Sequence, residues 1–108
     1  GESAQRKLWK YDIRQDGTLS NKQLFYSFHD YGMDGMRCDK KGNLYLTRYG
    51  KGTIVILSPE GSLLEEIPLK GKKPSNLTFG GKDRKRCYVT LADRGCFEYF
   101  DTDFPGRE

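Results

Sequence analysis

Apolar residues run along this chain in short alternating or continuous blocks separated by glycine-centred turns, and no useful stretch repeats them at helical spacing. Lys7 to Ile13 carries Leu8, Trp9 and Tyr11 and is followed by the turn signal Asp16-Gly17. Gln23 to Phe28 predicts a second strand. Gly35 to Asp39 predicts a third, and Lys41-Gly42-Asn43 turns it into Leu44 to Tyr49. After Gly50-Lys51-Gly52 comes Thr53 to Leu57, whose unbroken β-branched run predicts burial on both faces. Pro59-Glu60-Gly61 leads into Leu63 to Leu69. Asn76 to Phe79, Cys87 to Leu91 and Cys96 to Phe100 complete the set. The pattern predicts an all-β chain.

The strands also repeat. Tyr45 and Tyr88, Thr47 and Thr90, and Gly52 and Gly95 are each 43 residues apart, a period that marks β-propeller blades. Leu8-Trp9-Lys10-Tyr11-Asp12 aligns with Ile54-Val55-Ile56-Leu57-Ser58 and Phe97-Glu98-Tyr99-Phe100-Asp101 as the third strand of its blade. Residues 34–69 then make one complete four-stranded blade. Residues 7–28 supply two outer strands of a preceding blade, and 76–101 three strands of a following one. Inner strands of a propeller start around a central channel, which would make Asp34 and Asn76 equivalent channel-facing residues. Trp9, Tyr11, Phe97 and Tyr99 are expected to pack between blades.

A closed propeller needs at least four blades, roughly 160 residues at this period, and the chain has 108. A mean hydropathy of -0.80 and a 35% hydrophobic fraction are low for a self-contained core. Residues 1–108 are therefore expected to form a partial propeller domain: a fragment, or a subunit completing its ring with other copies through open edges. The net charge of +4 is scattered, and Lys82 to Arg86 is interrupted by Asp83, reading as a solvated turn. Neither a nucleic-acid nor a membrane partner is expected, since no continuous basic face, signal peptide or membrane-length apolar run is present. Cys38, Cys87 and Cys96 lack metal-type spacing and read as buried strand thiols in a reducing, cytoplasmic setting, with a Cys87–Cys96 pair left open. The Asn76-Leu77-Thr78 sequon reads as chance. His29, the single histidine, supports no Ser/His/Asp or Cys/His arrangement and reads as a loop residue.

Taken as residues alone, Asp34-Gly35 is a turn-forming pair before a strand, and Asn76 a turn residue after Pro74-Ser75. Arg48 and Tyr49, just past a strand, either line the channel mouth and contact substrate or cap the blade. Leu8-Trp9-Lys10-Tyr11-Asp12-Ile13, Asp16-Gly17-Thr18-Leu19-Ser20-Asn21, Asp34-Gly35-Met36, Gly42-Asn43-Leu44-Tyr45 and Phe79-Gly80-Gly81 together resemble the gluconolactonase family, which includes regucalcin and luciferin-regenerating enzyme. The match covers the chain in order but only about the last third of a family member. Pro105-Gly106-Arg107-Glu108 is similar to the C-terminus of bacterial members.

That resemblance implies a six-bladed propeller holding a divalent cation in its channel, and in several members hydrolysis of sugar lactones. It implies that Asp34 is a metal ligand and general base, with Met33 standing where the family has proline; Asn76 is a second candidate ligand. The family's glutamate and its Pro-Asn-Gly asparagine have no counterpart, and Glu2 stands at the wrong place to match the former. Oxygen donors suit calcium first, then magnesium or manganese, and tolerate zinc. Two functions follow: the C-terminal part of a metal-dependent sugar-lactone hydrolase, or a non-catalytic, self-assembling β-blade protein or binding module.

Overall fold

The structure, a computed structural model, describes residues 7–91 and 95–107. Glu2, residues 92–94 within the expected last blade, and both ends of the expected 1–108 domain lie outside the described residues. Among the described residues nine strands form: β1 (Lys7–Ile13), β2 (Leu19–Ser27), β3 (Met36–Cys38), β4 (Leu44–Arg48), β5 (Thr53–Leu57), β6 (Leu63–Pro68), β7 (Pro74–Gly80), β8 (Arg86–Leu91) and β9 (Cys96–Asp101). A single 3-10 turn, Lys82–Arg84, is the one helical element among the described residues. The strands pair antiparallel into three sheets in chain order, β1-β2, β3-β4-β5-β6 and β7-β8-β9.

Three strands start earlier than the hydrophobic pattern suggests, β8 by one residue and β2 and β7 by more. Asp12 faces Ser20 and Ile13 faces Leu19, so β2 begins at Leu19 rather than Gln23. Pairing carries it through polar residues: Thr18 is turned by its amide on Asp16 Oδ1 at 2.9 Å, and two register shifts absorb the mismatch. β7 likewise begins at Pro74, opposite Leu91.

The β5 run is buried on both faces. Ile54 and Ile56 join Tyr45, Leu77, Phe79, Cys87 and Val89 in the layer toward the β7–β9 sheet. Val55 and Leu57 join Leu8, Phe28 and Leu46 in the layer toward β1–β2. Each such aliphatic side chain contributes roughly 1.5–3 kcal/mol when withdrawn from water, so the middle sheet is the axis of stability.

Period-2 alternation sends the expected inter-blade aromatics the other way. Leu8 and Phe100 turn toward the middle sheet, leaving Trp9, Tyr11, Phe97 and Tyr99 on the far faces of the two flanking sheets, where they are exposed. Lys22 Nζ sits 4.4 Å from the Trp9 ring, and the Arg86 guanidinium 4.3 Å from the Tyr99 ring. The cysteines also depart from expectation. Only Cys87 is buried, Cys96 is exposed, and all three are free thiols. Cys87 faces Phe100 and Cys96 faces Leu91, so the two lie at opposite ends of the β8–β9 pair, out of bonding range.

Among the described residues, the segment after β9 does not add a fourth strand to its own sheet. The Thr102 amide bonds Lys85 O (2.7 Å) and the Gly106 amide bonds Arg84 O (2.9 Å). The tail then pairs with the free edge of β3: the Lys40 amide bonds Pro105 O (2.8 Å), the Arg107 amide bonds Cys38 O (3.0 Å), and Gly106 bridges Asp39. A side chain at position 106 would run into Phe79, which restricts this crossing to glycine.

Candidate functional site

The starts of β3 and β7 meet at the end of the sheets opposite the tail. A Cβ on Gly35 would lie 2.8 Å from Asn76 Oδ1 and 2.9 Å from Asn76 Cα and Ser75 O, so only glycine admits this approach. Gly35, the residue after Asp34, is thus packed directly on Asn76, the other position singled out by the repeat. Thr47 latches Asp34 in place. Its carbonyl accepts the Asp34 amide (3.3 Å), its hydroxyl accepts the Gly35 amide (2.6 Å), and its own amide bonds Gly35 O (3.0 Å). The Asp34 carboxylate is exposed, and no side chain among the described residues claims it. Asn76 Oδ1 accepts the Leu77 amide at 2.8 Å, which turns the carboxamide back on its own strand. Asn76 faces Thr90 across the β7–β8 pair, beside a hollow of about 350 Å³ bounded by Arg37, Thr78, Tyr88 and Phe97.

Arg48 is not at the channel mouth. It is 1% exposed, and its guanidinium lies over the Phe28 ring at 3.7 Å. Its Nε donates to Gly32 O (3.3 Å), and its Nη2 donates to the carbonyls of Asp30 and Tyr31 and to Asp30 Oδ1 (3.1 Å). This geometry is that of a clamp on the connector between β2 and β3, and it removes Arg48 from contact with a substrate. The bond from Arg48 holds the Asp30 carboxyl below the usual carboxylate range. Tyr49 remains partly exposed at the same end as Asp34. His29 is exposed in the connector, away from any nucleophile pair.

Asp39 drew no functional reading from the sequence, and the structure shows what it does. It is fully buried and accepts the amides of Lys41 (2.9 Å) and Asn43 (3.0 Å), Asn43 Nδ2 (3.0 Å) and the Tyr45 hydroxyl (3.4 Å). Every acceptor site is spent on the β3–β4 turn, so this carboxylate organises structure and offers nothing to a ligand. Burial, with the Asp39 charge second, pushes the Tyr45 phenol well above its ordinary range. The sequence signal for Asp39 is the Asp39-Lys40-Lys41-Gly42-Asn43 spacing, that of a side chain capping its own turn.

Asp34 and Asn76 offer oxygen donors, the chemistry a hard cation requires, but calcium takes six to eight such ligands. Among the described residues no group of three or more His, Cys, Asp or Glu converges on one point. The donor pair fits as part of a metal site, with further ligands required from elsewhere.

Residues 1–93 match the model of the SMP-30/gluconolactonase/LRE-like region. The chain belongs to this family. Among its SMP-30/gluconolactonase/LRE relatives, regucalcin from Sus scrofa is 36% identical over 88 residues, covering 79% of this chain and 29% of that protein. The 6-deoxy-6-sulfogluconolactonase of Pseudomonas putida is 31% identical over 86 residues, covering 77% and 30%. Diisopropyl-fluorophosphatase from Loligo vulgaris is 34% identical over 111 residues, covering 99% and 35%. The chain therefore spans about a third of the length of these family members.

Solved structures of the family agree on the fold. A putative gluconolactonase superposes with a TM-score of 0.77 at 24% identity, covering 93% of this chain and 33% of its own. A Xanthomonas campestris gluconolactonase gives 0.70 at 26%, covering 92% and 30%. A calcium-binding regucalcin from Agrobacterium tumefaciens gives 0.74 at 19%, covering 94% and 40%. The three sheets are accordingly blades of the six-bladed family propeller: one complete and four-stranded, two partial.

Proposed function

We propose that this chain is the C-terminal part of a metal-dependent sugar-lactone hydrolase, with Asp34 as metal ligand and general base and Asn76 beside it as a second oxygen donor. The observation that carries the reading is Asp34 itself: it is exposed, and its backbone is held by Thr47 where Gly35 packs on Asn76 and two inner strands begin. A channel cation, calcium first among hard divalent ions, would polarise the lactone carbonyl and lower the pKa of a water. Asp34 would orient that water and take its proton as attack on the carbonyl proceeds. Asn76 Nδ2 would donate to a lactone or aldonate oxygen, and Tyr49, partly exposed, would bound the entrance. Calcium is supported by the regucalcin resemblance, lactones by the Pseudomonas putida and Xanthomonas campestris gluconolactonases.

The test is Asp34→Ala in the full-length protein. Loss of a positioned base is expected to lower calcium-dependent hydrolysis of gluconolactone by about 10²–10⁴-fold. Undiminished turnover would remove Asp34 from the mechanism. A diisopropyl fluorophosphate assay run in parallel separates the lactone reading from the chemistry named for the Loligo relative.

A second reading rests on a separate observation, the aromatic far faces of the flanking sheets. Trp9, Tyr11 and Ile13 on one side and Phe97 and Tyr99 on the other favour association of this chain with further copies of itself.

A further inference from the structure

We infer that Thr47 and Arg48 form a two-residue bracket that positions Asp34, Thr47 gripping the chain at and after the aspartate and Arg48 gripping it before. The inference deepens the reading of Asp34 as a metal ligand and general base, and it moves Arg48 from substrate contact to positioning residue.

The two residues are neighbours at the end of β4, so their side chains leave on opposite faces of the strand. Thr47 holds Asp34 and Gly35 through four hydrogen bonds, its hydroxyl also donating to Gly35 O at 3.3 Å. Arg48, on the other face, reaches the carbonyls of Asp30, Tyr31 and Gly32, and only Met33 separates that segment from Asp34. A guanidinium is well matched to such a grip, because its donors are fixed in one plane and can serve several carbonyls at once, while Phe28 covers its face. Burying a cation this fully is costly unless its donors find partners, and here the connector takes Nε and Nη2. The connector has no strand pairing of its own between Ser27 and Met36. The bracket thus substitutes for sheet structure in the segment that delivers Asp34 to the channel.

Hydrogen exchange in the full-length protein tests this. Arg48→Met is expected to raise exchange of the Asp34 and Gly35 amides about tenfold, the size of one lost hydrogen bond, while the Ile54–Leu57 amides keep their protection. Thr47→Val should give the same local pattern, centred on Gly35. Arg48→Lys, which keeps the charge but not the planar fork, should fall between Arg and Met and serves as the informative variant if Met prevents folding. Unchanged exchange at Asp34 and Gly35, or equal loss of protection in β5, would overturn the bracket. A calcium titration of the same proteins distinguishes the two ideas. Calcium affinity should fall in Arg48→Met and in Asp34→Asn. If Asp34→Asn binds calcium like the parent, the metal role of Asp34 fails while the exchange result still decides the bracket.

Discussion

Two titratable side chains sit in the same apolar layer between blades: Cys87, whose thiol burial pushes up to about 12 from an ordinary 9.0, and Tyr45, raised from 10.0 by burial and by Asp39. Both are neutral acids whose folded pKa exceeds the unfolded value, so the native state holds their protons longer. Their contribution to stability is complete below pH ~9 and is lost as pH rises through the folded values. Thermal melts from pH 8 to 11 should therefore show Tm falling above about pH 9, and Cys87→Ala should flatten the first part of that fall. Residue chemistry is only partly legible in the sequence. An exposed aspartate ahead of β3 is visible in Asp34-Gly35-Met36 because a repeat points at it. Arg48 stays open in the sequence between the channel mouth and a blade cap, because strand ends in a sequence do not reveal which carbonyls lie within reach. Cys96 reads as buried, although exposed, because a strand position says nothing about which face is covered.

Strands are the most legible level. β1 and β5 match their expected spans to the residue because glycine turns bound runs rich in apolar residues. β2 reads short, since its first residues are held by pairing with β1 rather than by hydrophobicity. At this scale the decisive contact is that of β3 with β7. Gly35→Ala would press a methyl group against the backbone of Ser75 and Asn76 at about 2.9 Å. The strand starts must then separate, at a cost of about 1–3 kcal/mol for overpacking, with Asp34 displaced from Asn76. Urea titration should show the midpoint shift; an unaltered midpoint would mean that the approach of the two strands is slack.

The middle sheet is covered on both sides, and the flanking sheets are each covered on one. Complete structures of the family carry about three times this length, which places the exposed aromatics where further blades stand in a six-bladed ring. As an isolated 108-residue chain the protein is expected to associate with itself as concentration rises. Sedimentation velocity should show that association and its reversal by Phe97→Lys combined with Tyr99→Lys, which charge one open face without touching either core layer. A monomer at all concentrations would show that these faces are tolerated in water.

The tail that crosses from β9 to β3 also bears on how the molecule assembles in time. Pro105, Gly106 and Arg107 join residues near Cys38 to others near Arg84, so their docking surface does not exist until two separate blades stand together. Such non-local closure comes late, after the entropy of bringing distant segments together has been met. The last turn of chain thus behaves as a clasp fastened at the end of folding. Hydrogen-exchange protection of the Gly106 and Arg107 amides reports whether the blades have come into register, independently of any catalytic assay.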